Sequence, residues 1–137
     1  MTDLDYEPRR AGDPRVAMIR AIVWLVAVVY TLSFIVLFMI PSAESDPAWC
    51  LGAMPCYAWL CSPFLVLGGF ASRRRASVSF LAVLLVATLF DAVGGWSIMR
   101  YVLVVNPDPQ AALIFIWVVP AQHVIAGIGI GLAYAVH

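Results

Sequence analysis

Lysine is absent from this chain. All eight basic residues are arginine, a habit of GC-rich bacterial genomes, and eight acidic residues balance them to a formal net charge of zero. Charged residues make up 12% of the 137 positions against 64% hydrophobic. A soluble domain of this size needs a charged surface. The charges here are too few to supply one, so the solvent this chain is built for is lipid. No basic face is left over for nucleic acid. Cysteine is scarce too, with three residues and no Cys-x-x-Cys pair, the spacing on which thiol oxidoreductases depend. There are two histidines, and one of them is the last residue. A bis-imidazole haem site therefore has no second ligand inside a membrane, and no Cys, Asp or Glu completes a metal set around the other. Glycine-rich phosphate loops, a Ser/His/Asp set and a carboxylate pair are missing as well. These absences argue for a protein that is not an enzyme and that needs no cofactor and no metal.

Long apolar runs are what the sequence has in their place. A hydrocarbon core of about 30 Å takes ~20 helical residues to cross. Ala21 to Ile40 and Pro47 to Ala71 carry no charge, Ala76 to Met99 is broken only by Asp91, and Pro109 to Val136 only by neutral Gln122 and His123. Barrel strands would be short and alternating, whereas these runs are continuous. The expected fold is all-α, a polytopic membrane protein with four transmembrane helices in an up-down antiparallel bundle. The helices are placed at about 17–40, 56–71, 77–101 and 110–136, behind a flexible cytoplasmic tail at 1–15. The first run exceeds the ~7–15 apolar residues of a signal peptide, and "IPSAES" is a poor cleavage site, so it reads as a retained signal anchor.

Arginine sets the expected orientation. Arg9, Arg10, Arg15, Arg20, Arg73, Arg74 and Arg75 fall on one side and Arg100 alone at the other, where Glu44, Asp46 and Asp108 also lie. Both termini are therefore expected in the cytoplasm of a bacterial inner membrane. The short "SRRRA" link makes the second and third helices an expected hairpin of neighbours. "NPDPQ" reads as a turn, since two prolines bar helix continuation.

In "WCLGAMPCYAWLC", Cys50 and Cys56 fall on the outer side, where a periplasm is oxidising. They are a candidate disulfide, the alternative being small buried thiols like Cys61. Trp49 and Trp59 are candidate interfacial anchors, while Trp24, Trp96 and Trp117 are open between packing and anchoring.

The polar residues inside the membrane are the candidate site. His123 lies ~18 Å along its helix from Ala111, near mid-membrane, and Asp91 ~21 Å from Ser77, beyond mid-membrane toward the outside, so the two fall at similar depth. Thr88, Asp91 and Gly95 share a face at i, i+3, i+7. With Tyr30 on the first helix and Gln122 beside His123 they form an expected intramembrane polar cluster. A carboxylate there must pair, carry a proton or face water. One reading makes Asp91 a proton- or ion-handling group; the other makes it a hydrogen-bonding peg between helices. Gly127 and Gly131 form a G-x-x-x-G pair on the last helix. With Gly94 and Gly95 they are the expected helix-packing positions.

The stretch "NPDPQAALIFIWVVPAQ" resembles the last link and helix of small, uncharacterised four-helix bacterial membrane proteins. That resemblance implies a fold and no activity. Small multidrug transporters share the size and helix number, but the acid of their first helix has no counterpart here. The function expected first is a non-enzymatic accessory or structural subunit, partnered by the lipid bilayer and by other membrane chains or further copies of itself. The alternative is a small proton-linked transporter or ion-conducting oligomer using Asp91.

Overall fold

The computed structural model of the chain describes residues 13–36, 40, 46–73, 75–101 and 111–137, with the backbone alone described at 49, 50, 52, 53, 56, 111–113, 115 and 116. Four helices account for nearly all of these residues: α1 (Pro14–Phe34), α2 (Pro47–Ala71), α3 (Val78–Arg100) and α4 (Ala111–Ala135). The protein is an all-α membrane bundle. α1, α3 and the Trp117–Ala135 stretch of α4 are each long and apolar enough to cross a membrane, and α2 contributes a shorter apolar stretch, Tyr57–Ala71. Large apolar side chains point outward along the whole length, Phe90 at 66% exposed and Trp117 at 77% among them. In water such a surface would aggregate; in lipid it is the solvated face.

Two helices begin on the same local device. Asp13 precedes Pro14, and its carboxylate accepts from Arg15 N at 2.9 Å. Asp46 precedes Pro47 and accepts from Ala48 N at 3.1 Å. The carboxylate satisfies an orphan donor of the first turn, and proline at the first helical position lacks the N–H that would otherwise go unpaired. Ser77 caps α3 through Phe80 N at 3.2 Å. This chemistry moves two boundaries from their expected places. α1 starts at Pro14, inside the expected 1–15 tail. α2 starts at Pro47 and not near Cys56, with Pro55 and Pro63 inside the helix.

The longer α2 bears directly on the expected disulfide. The side chains of Cys50 and Cys56 lie outside the described residues, but both positions belong to one helix. Six residues of α-helix set two Cα atoms roughly 10 Å apart, beyond the ~7 Å that a disulfide spans. The helix as it stands does not admit a Cys50–Cys56 bridge. Cys61 is a buried free thiol, and Thr31 Oγ1 donates to its sulfur at 3.7 Å.

Around the bundle, α1 and α4 are each flanked by α2 and α3, while α2 and α3 meet across the diagonal with the slightest contact of these packed pairs. The expected α2–α3 neighbour hairpin is thus corrected. The connecting residues, 72–77, extend to about 20 Å, enough to cross the diagonal. The bundle is closed at that end by side chains instead. Arg20 of α1 donates through Nε to Ala71 O at 2.8 Å and through a terminal nitrogen to Arg73 O at 3.1 Å. Trp24 donates to Ser72 Oγ at 3.0 Å, and its ring lies flush on Gly68, where an added Cβ would sit 2.9 Å from it.

The core is stacked in three layers. Val23, Leu67, Phe80, Leu81 and Leu84 with small alanines fill the arginine-bearing end. Ala27, Tyr30 and Phe64 form the middle. Phe34, Leu60, Met99 and Val119 fill the far end.

Candidate functional site

Asp91 sits in the middle of this stack. It is 1% exposed, Thr88 is fully buried, and Gln122 of α4 and Tyr30 of α1 are almost so. Helical phase puts Thr88, Asp91 and Gly95 on the inner face of α3, and all three are buried. Gly95 makes room for the others: a Cβ built there would lie 2.5 Å from Gln122 Nε2 and 2.8 Å from Tyr30 OH. The Gln122 amide thus lies over Gly95 beside the Tyr30 phenol, within interacting range of both that phenol and the Asp91 carboxyl. The Tyr30 ring is held by Phe64, with centroids 4.4 Å apart.

Three helices therefore bring a carboxyl, a carboxamide and a phenol together. None of their five side-chain polar atoms, Asp91 Oδ1 and Oδ2, Gln122 Nε2 and Oε1, and Tyr30 OH, is in a well-formed hydrogen bond, and all five are sealed from solvent. No basic side chain among the described residues pairs with Asp91. The amide has two donors and an acceptor, so it is the one member able to serve carboxylate and phenol at once. Chemically the trio can hold the three helices in register, or it can take a proton or small cation against the carboxyl.

Thr88 and His123 lie in the same region but do not join the trio. The Thr88 hydroxyl donates to Leu84 O of its own helix at 2.7 Å. His123, one residue past Gln122 and so about 100° around α4, turns toward α2. Its Nδ1 bonds Val119 O at 2.8 Å and its Nε2 meets Ser62 Oγ at 3.0 Å. A carbonyl only accepts, so Nδ1 carries the proton. In the neutral ring Nε2 is then an acceptor. Ser62 also lies 2.6 Å from Trp59 O, the carbonyl that loses its helical donor because Pro63 has no N–H. One hydroxyl hydrogen thus faces two acceptors. The sequence reading missed Ser62; its place immediately before Pro63 was the available signal.

The packing glycines divide. Gly95 lines the trio. Among the described residues, Gly94, Gly127 and Gly131 have nothing within 4 Å of an added Cβ and make no close packing contact. The buried face of α4 carries Val119, Gln122, Ala126, Gly129 and Ala133, and Gly127 and Gly131 lie off it. The close approach to α3 is made by Gly129, where an added Cβ would collide with Ala87 Cβ. Trp24 is a packing residue, Trp117 faces outward, and Trp59 is half-exposed.

Compared with known proteins, the chain matches no family model, no curated protein and no solved structure.

Proposed function

We propose that this chain is a non-enzymatic integral protein of the bacterial inner membrane, with both termini in the cytoplasm. It serves as an accessory or structural subunit that packs against another membrane chain or a further copy of itself. Its likeness to small four-helix bacterial membrane proteins over residues 106–122 is part of the proposal. The observation that carries it is the position of Gly127 and Gly131. Both lie on the outer side of α4 with open space where a side chain would be, and the internal packing among the described residues uses neither. Glycines spaced four apart on a lipid-facing surface let a second helix backbone approach closely. The test is co-purification in mild detergent. Gly131→Leu is expected to release whatever chain the parent retains while leaving the helical content and unfolding of the bundle unchanged. Retention of the partner by that variant refutes the reading.

A second reading rests on Asp91. An ionisable group enclosed by apolar helices, with no basic partner among the described residues, is the usual mark of proton or ion handling in membranes. In that case Asp91→Asn abolishes a pH-driven flux in vesicles while the bundle stays folded. In a purely structural role the substitution is tolerated.

A further inference from the structure

We propose that the arginine-bearing end of the bundle binds the phosphate of an anionic phospholipid, with Arg20 and Arg73 as its ligands. The four described arginines at this end are Arg15, Arg20, Arg73 and Arg75, against Asp13 as the one described acid there. None of the four guanidinium groups is in an ion pair among the described residues. Two of them are also held in place. Arg20 rests on the Ala71 and Arg73 carbonyls, which occupies two of its five N–H groups and leaves three. Arg73 donates to Tyr134 OH, and its guanidinium stands 4.6 Å from the Phe70 ring centroid and 5.5 Å from that of Tyr134. Stacking of this kind fixes the plane of the fork and leaves its remaining N–H groups directed past the rings.

A guanidinium with several unused donors, immobilised by the fold, matches the oxygens of a phosphate, and the two residues meet at the end of α2, where Arg20 donates to the Arg73 carbonyl. Because their ordering is already provided by the fold, little rotamer entropy is lost on binding. The location selects a lipid over a soluble anion. Arg20 immediately precedes the uncharged run of α1, and the surfaces leading away from this end expose Leu25 on α1 and Leu132 on α4, against which acyl chains lie. The bonds of Arg20 to the Ala71 and Arg73 carbonyls leave most of the charge and most of the donors of this pair without a partner among the described residues.

The test is native mass spectrometry of the full chain released from micelles containing phosphatidylglycerol or phosphatidylcholine of the same acyl composition. One basic residue at an anionic membrane surface is worth about fivefold in binding, so the pair predicts a preference for phosphatidylglycerol of about 25-fold. Arg73→Gln lowers that preference about fivefold, and Arg75→Gln leaves it unchanged. Arg20→Gln also removes two hydrogen bonds at the end of α2, so the exposed Arg73 carries the test should the Arg20 variant unfold. Equal retention of the two lipids overturns the proposal. So does an Arg75→Gln loss as large as that of Arg73→Gln, which means diffuse attraction. Displacement of the lipid by inorganic phosphate at equal concentration means a site for soluble anions and overturns it as well. Preference for an acidic peptide over phosphatidylglycerol does the same.

Discussion

Gly129→Ala is the sharpest test of how the bundle is packed. The new methyl group would collide with Ala87 Cβ on α3, while Ala87 Cα lies 3.9 Å away. A Cβ is fixed by its backbone and cannot swing aside, so α3 and α4 must separate. Overpacking of this kind costs about 1–3 kcal/mol. Replacing glycine by alanine in a helix returns roughly 1 kcal/mol, which leaves a net loss of about 0–2 kcal/mol. Gly131→Ala is the matched control: its Cβ meets nothing within 4 Å, so it keeps the gain of up to ~1 kcal/mol without the clash. The assay is unfolding of the purified chain in mixed micelles of rising SDS fraction, followed by far-ultraviolet circular dichroism. Ala87→Gly in the Gly129→Ala background should restore most of the loss, because it removes the other half of the collision. If Gly129→Ala unfolds no earlier than Gly131→Ala, α3 and α4 do not approach as described.

Two further outcomes follow from the same geometry. Asp91→Asn preserves shape and keeps one acceptor for Gln122. With interhelical polar contacts worth about 0.6 kcal/mol each, it should shift the SDS unfolding midpoint only slightly, whereas Asp91→Leu, which leaves the Gln122 amide facing a hydrocarbon side chain, should cost more. A larger loss for Asn than for Leu contradicts the trio. Under oxidising, non-reducing conditions Cys50 and Cys56 should each alkylate as free thiols in peptide mapping; a bonded Cys50–Cys56 peptide would show that α2 is not helical across its first turns.

The helices were legible because lipid-soluble runs are long and continuous, and the inner face of α3 because Thr88, Asp91 and Gly95 repeat at helical spacing in an otherwise apolar segment. The inner face of α4 was not. Both sides of a lipid-solvated helix are apolar, so periodicity loses its contrast. The G-x-x-x-G pattern of Gly127 and Gly131 drew attention from Gly129, which is two residues from each. For the same reason Gln122 and His123 look equivalent in sequence, although a 100° step sends one to Asp91 and the other to Ser62. The start of α2 was hidden by Pro55, which lies inside the helix. The capping of Asp46 before Pro47 was present in the sequence and repeats the Asp13–Pro14 pair of α1. A third such pair, Asp108–Pro109, precedes α4 in the sequence. The diagonal placement of α2 and α3 depends on Arg20 and Trp24 reaching the end of α2, contacts that no local pattern announces.

The proposed function takes the bundle to cross the membrane four times with its arginine-bearing end in the cytoplasm. A pair of reporter fusions tests this directly in growing cells. A phosphatase active only in the periplasm should be inactive after His137 and active when inserted in the 102–110 link, and a fluorescent protein that matures only in the cytoplasm should show the opposite. Phosphatase activity after His137 with cytoplasmic fluorescence from the link would invert the protein, and like signals at both sites would show that α4 does not cross.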